Sequence, residues 1–121
     1  MYKWVKGNSF NKIATMYSGN ITLNVPCISL FKGAKWCAVG IDYENKKVGI
    51  KILSSEDFDK KIFSEDTINK VSIGKSFVRI CNKSIINEIA KATKKKAAGE
   101  KYTVSFNPKE RIIEIDLNSP I

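Results

Sequence analysis

The chain contains no histidine. That removes the side chain most used as an acid–base group near neutral pH and the commonest zinc ligand. Arginine is nearly as scarce: two of the 21 basic residues are Arg, and the rest are Lys. The guanidinium is the group suited to bidentate contact with guanine and phosphate, so its scarcity argues against base-specific readout. Cys27, Cys37 and Cys81 show no paired CxxC spacing. With histidine missing, they read as reduced packing thiols and not as a metal site. There is no nucleophile elbow, no Gly-rich phosphate loop ahead of a helix, and no carboxylate pair at telling spacing. Glu114 and Asp116 lie two apart, as solvent-face residues of any strand do. A non-enzyme with no metal and no cofactor is expected. No apolar run approaches a membrane span, and Met1–Lys6 has no apolar h-region, so a cytoplasmic protein with no membrane role is expected.

What is present is basic. The 121 residues suit one domain, 1–121, and the 43% hydrophobic and 27% charged fractions are those of an ordinary globular chain. The net charge is +9. It falls as +6 over residues 1–53, −2 over 54–72 and +5 over 73–121, so two basic stretches flank an acidic connector at about 54–66. A basic balance attracts phosphates or acidic surfaces. The chain is also rich in Ile and Asn, the bias of an AT-rich coding sequence, so the charge permits nucleic-acid binding without establishing it.

The two basic stretches resemble each other. Val39–Ile52 lies over Val104–Leu117 without a gap, at an offset of 65. Ile21–Asn24 lies over Val78–Cys81 at 57, and Phe10–Ile13 over Ile68–Val71 at 58. The pattern predicts an α+β, β-rich fold of two tandem β-α-β-β repeats, about 10–53 and 68–117, forming a pseudo-twofold sheet or barrel-like domain. Tyr2, Trp4 and Val5 read as a short strand, and Ile21-Thr22-Leu23-Asn24 alternates as a strand. Asn24 and Pro26 read as the start of a short helix that Gly33 ends. Trp36–Ile41 and Lys47–Leu53 read as a hairpin. In the second half, Ile68–Ile73 and Phe77–Cys81 read as strands. Asn82 or Ser84 caps a helix whose apolar stripe is Ile85, Ile86, Ile89, Ala90 and Thr93, with Gly99 as its stop. Tyr102–Phe106 and Arg111–Leu117 form the last hairpin, and the second helix is expected to be about two turns longer than the first.

Gly19-Asn20-Ile21-Thr22-Leu23-Asn24-Val25-Pro26 is similar to the opening of the AbrB-like (SpoVT/AbrB) swapped-hairpin family: a turn glycine, an alternating strand and a proline-started helix. Val39–Leu53 resembles that family's hairpin. Ser76–Leu117 matches more loosely, with Asn82-Lys83-Ser84 where the proline would be. The resemblance implies two such units interleaved as a barrel that binds DNA through basic residues on strand–turn edges. Lys12, Lys70, Lys75 and Arg79 fall near that edge. The family's arginines and its Gly-Asp turn before the hairpin are missing, since Lys35-Trp36-Cys37 stands there.

The densest positive patch is Lys91, Lys94, Lys95, Lys96 and Lys101, which suits a helix C-terminus and equally a phosphate-contacting surface. Trp4, Trp36, Tyr17 and Tyr43 read as residues of a sheet face or subunit interface, with stacking on bases as the alternative. The function expected is a small basic nucleic-acid-binding protein. The alternatives are a protein-interaction module, such as a phage-encoded inhibitor of a host defence complex, and a binder of a small anionic ligand between the two copies. Uncovered sheet edges would favour a homodimer.

Overall fold

A computed structural model of the chain describes residues 1–7, 10–60 and 62–121. The order of elements is β1 (Ile13–Met16), β2 (Asn20–Asn24), a 3-10 helix (Val25–Phe31), β3 (Trp36–Asp42), β4 (Lys47–Leu53), α1 (Ser55–Asp59), a 3-10 turn (Glu65–Thr67), β5 (Ile68–Lys70), β6 (Ser72–Ile73), β7 (Phe77–Cys81), α2 (Lys83–Thr93), β8 (Glu100–Asn107) and β9 (Ile112–Pro120). Among the described residues the nine strands make one sheet in the order β5-β3-β4-β9-β8-β1-β2-β7-β6, and every pairing in it is antiparallel.

The two strands at the ends of that order are neighbours in the chain. Only Val71 separates β5, which pairs with β3, from β6, which pairs with β7. The Val71 side chain is buried and its N–H donates to the Lys35 carbonyl at 2.8 Å. One stretch of chain thus spans the seam, and the sheet rolls into a nearly closed barrel. The edges expected to recruit a second copy are two and three residues long.

Alternation builds the interior. Val48, Ile50 and Ile52 of β4 and Ile113, Ile115 and Leu117 of β9 point inward, as do Ile21 and Leu23 of β2 and Val78 and Ile80 of β7. Each fully buried Ile or Val removes enough apolar surface from water for about 1.5–3 kcal/mol, which makes this branched interior the main favourable contribution to folding. The two helices begin at opposite ends of the β2–β7 ladder, where Asn24 faces Phe77 and Asn20 faces Cys81. Cys27 and Phe31 pack into the core from one end, and Ile86, Ile89 and Ala92 from the other.

Several sequence expectations change. Residues 1–7 form no strand, because both sides of β1 are taken, by β2 and β8. The first helix is a 3-10 helix, and Asn24 does not cap it; its side chain reaches back to the segment before β1. The second helix ends at Thr93 with Lys94 left-handed (φ 60), five residues before Gly99, and buries Ala92 where Ala90 was expected. The helices differ by four residues, seven against eleven, and because the 3-10 helix packs about three residues into each turn the second is about one turn longer, not the two expected. Cys81 is exposed while Cys27 and Cys37 are buried, since inward Val78 and Ile80 turn the next odd position outward. No helix among the described residues is long and apolar enough to cross a membrane.

Candidate nucleic-acid interface

Two junctions lie on opposite sides of the barrel, and their outer surfaces differ in charge. At the β2–β7 junction a rung of residues on the outer face of the sheet crosses five strands, with Thr15 in it buried at 8% exposure. Thr15 stands opposite Lys101 on one side and Thr22 on the other; Thr22 stands opposite Arg79, and Arg79 opposite Ser72. At the β4–β9 junction the corresponding rung is Gly40, Gly49, Glu114 and Ser105.

Arg79 is held in place at the centre of the first surface. Its guanidinium carbon lies 4.4 Å from the centre of the Phe77 ring, and its Nε donates to Thr22 Oγ1 at 3.4 Å. Thr22 Oγ1 in turn donates to Asn20 Oδ1 at 2.6 Å. The terminal nitrogens of Arg79 make no hydrogen bond among the described residues, and the residue is half-buried on the outer face of β7. Lys101 flanks it on β8, and Lys70 and Lys75 lie exposed beyond β7. Lys12 precedes β1, and its carbonyl accepts from Val104 N–H at 3.1 Å. The Lys94–Lys96 run lies between α2 and Gly99 (φ 93), whose N–H donates to Met16 O at 2.8 Å. It therefore rims the same surface beside the β1–β2 turn.

Four cations are held in ion pairs among the described residues. Lys47 pairs with Glu114 at 3.0 Å, Lys60 with Glu56 at 2.8 Å, Lys91 with Glu88 at 3.2 Å, and Arg111 with Asp57. Of the nine residues the sequence singled out, Lys91 alone is paired among the described residues. Glu88 also accepts from Tyr43 Oη at 2.7 Å, and these two bonds hold its carboxyl below the usual range. Lys91 thus faces the β3–β4 turn and stands apart from the rest. Lys12, Lys70, Lys75, Arg79, Lys94, Lys95, Lys96 and Lys101 have no carboxylate partner among the described residues. The chain has no acid before Asp42, which is why this surface, built largely from β1 and β2, has so little negative charge. Glu100 stands at its edge and accepts from Ala98 N–H at 2.8 Å.

The opposite surface is balanced. A groove of about 510 Å³ runs over Gly40 and Gly49, with Ile112 and Phe63 among its apolar walls and Asp42, Lys47, Lys51 and Glu114 as its charges. Glu114, chiefly through its hydrogen bond, raises the Lys47 pKa, and Lys51 Nζ donates to the Glu110 carbonyl. Both lysines are committed within the protein. No group of three or more His, Cys, Asp or Glu side chains able to hold a metal occurs among the described residues.

Sequence reasoning located the cations but missed what orients the central one. Thr22 and Phe77 look like ordinary strand residues: the cross-strand register brings Thr22 to Arg79, and Phe77 lies two residues before it on the same face of β7. Tyr43, expected on a sheet face or subunit interface, donates a hydrogen bond from its hydroxyl to Glu88 across on α2. Trp36 and Tyr17 are half-exposed, and Trp4 is almost fully so. No protein-family model, curated protein or solved structure matches this chain.

Proposed function

We propose that the chain is a tandem duplication closed into one barrel, and that its acid-poor surface binds double-stranded nucleic acid through the phosphate backbone. The duplication is supported by hydrogen bonds that recur at the offsets of the sequence repeat. Thr22 pairs with Arg79, 57 residues on, and Gly49 with Glu114, 65 residues on, so at both junctions a strand meets its own counterpart in register. Ile52 N–H donates to Arg111 O at 3.0 Å and Leu117 N–H to Lys46 O at 2.9 Å, the same bond exchanged between halves. Lys46 and Arg111 share φ 54, and Lys32 and Lys94 close the two helices in left-handed conformations. Asn24 Nδ2 bonds to Asn11 and Asn82 Nδ2 to Asn69, each 13 residues back. Such a barrel is what kinship with AbrB-like proteins implies, with one chain supplying both units.

The observation that carries the binding reading is the local charge: Arg79 lies in the Thr22–Arg79 rung with seven lysines around it, none of the eight has a carboxylate partner among the described residues, and Glu100 is the acid at the edge. With one guanidinium at the centre and lysines around it, the surface suits backbone contact more than base readout. An anionic small ligand in the groove is less well supported, because Lys47 and Lys51 are already bound there. A protein partner would have to present an acidic surface of matching shape.

Fluorescence anisotropy of a labelled duplex against salt tests the proposal. Contact with about six phosphates gives a slope of log affinity on log salt near −5, a loss of roughly 10³-fold between 50 and 200 mM. No binding at 50 mM salt, or a slope near zero, would overturn it.

A further inference from the structure

Residues 1–7 make no secondary structure, and all seven are exposed. Tyr2, Trp4 and Val5 are 86%, 89% and 91% exposed, and the Tyr2 and Trp4 rings meet each other at 6.1 Å between centroids, tilted by 32°. Large apolar side chains left this open mark a surface that another molecule covers. Two facts indicate which kind. Lys3 and Lys6 interleave with the aromatics, and the nearest acid in the chain is Asp42. The segment also leads to Lys12 and β1, at the border of the cationic surface.

We infer that Tyr2 and Trp4 stack on unpaired bases next to a duplex held by the barrel, so that the preferred ligand is a duplex carrying a single-stranded tail, gap or loop. This rests on the backbone-binding reading. Bases inside a duplex are stacked on one another and offer no free face, whereas unpaired bases stack readily on tyrosine and tryptophan without regard to sequence. Lys3 and Lys6 then contact the phosphates between stacked bases. The arrangement divides the work: the barrel supplies charge, and the aromatic segment distinguishes unpaired from paired strands.

The test compares a blunt duplex with the same duplex carrying a five-nucleotide tail, for the full chain and its Trp4→Ala and Tyr2→Ala/Trp4→Ala variants. Since both side chains are almost fully exposed, melting temperatures should match, which keeps folding out of the comparison. The tailed duplex should bind about 5- to 150-fold more tightly per stacked base. The double variant should erase that preference while leaving blunt-duplex affinity and its salt slope unchanged. In a Trp36→Phe background, Trp4 emission should be quenched by the tailed duplex and not by the blunt one. Equal binding of both probes with a normal salt slope overturns this inference alone. Binding of neither probe overturns the barrel reading as well. Loss of self-association on Trp4→Ala with no tail preference would assign the segment to a second copy of the chain and refute the stacking role.

Discussion

Arg79→Ala isolates the centre of the charged surface. The side chain is anchored by the Phe77 ring and by Thr22, and its terminal nitrogens make no hydrogen bond among the described residues. Removing it deletes one charge-assisted contact of about 1.5–3 kcal/mol, so duplex affinity at 0.1 M salt should fall roughly 10- to 150-fold. It also removes one phosphate from the count, so the slope should become about 0.9 shallower. Phe77→Leu keeps the charge and removes only the anchor. An exposed cation–π contact contributes about 0.5–1 kcal/mol, so affinity should fall roughly two- to fivefold with no change in slope. Anisotropy titrations at four salt concentrations, with thermal melts to confirm folding, separate the two effects. The reasoning fails if Arg79→Ala leaves affinity within twofold and the slope within ~0.2 of the parent, or if Phe77→Leu changes the slope.

Replacing Lys94, Lys95 and Lys96 by Gln should flatten the salt slope by about 2–3, whereas Lys47→Gln and Lys91→Gln, whose charges are paired, should leave it unchanged; the same titrations decide. Asn24→Ala should cost about 2–4 kcal/mol in urea unfolding, because Ile13 N–H and the Asn11 carbonyl lose their partner, and should exceed the cost of Asn82→Ala, where a helix cap and one side-chain bond are lost. The Ser54 N–H, and then Ser54 Oγ and Arg111, hold Asp57 below the usual carboxylate pKa. Its contribution to stability is therefore present above the ordinary carboxylate pKa and lost as pH falls through the depressed one, so Asp57→Asn should blunt acid unfolding followed by circular dichroism. A thiol reagent should label Cys81 alone in the native state, since Cys27 and Cys37 are buried and burial pushes the Cys37 thiol up to about 12.

The barrel's hairpins were legible because their physics is local. Val39–Ile41 facing Val48–Ile52 alternates cleanly, and Asn107 with Pro108 marks a turn whose backbone N–H groups the Asn107 side chain does receive. The helix ends were not legible. Gly99 looked like the stop for α2, yet its left-handed φ serves the entry into β8, and a lysine takes the left-handed cap position. Asn24 looked like a cap because capping is the commonest local use of that side chain. Its backbone partners, Ile13 and Asn11, are 11 and 13 residues away and are set by the β1–β2 pairing, and its local partner is the Cys27 thiol, which donates to Oδ1 at 3.4 Å. The site divides in the same way. Lysine positions are read directly from the chain, but whether each is free depends on long-range neighbours: Glu114 lies 67 residues from Lys47, and Asp57 lies 54 from Arg111.

Hydrogen–deuterium exchange on the duplex-bound protein tests most directly where nucleic acid sits. Protection should concentrate in β1, β2, β7 and the 94–101 segment, with β3, β4 and the groove over Gly40 and Gly49 unchanged. Protection confined to the groove side, or spread evenly over the barrel, would contradict the assignment of the acid-poor surface as the binding face.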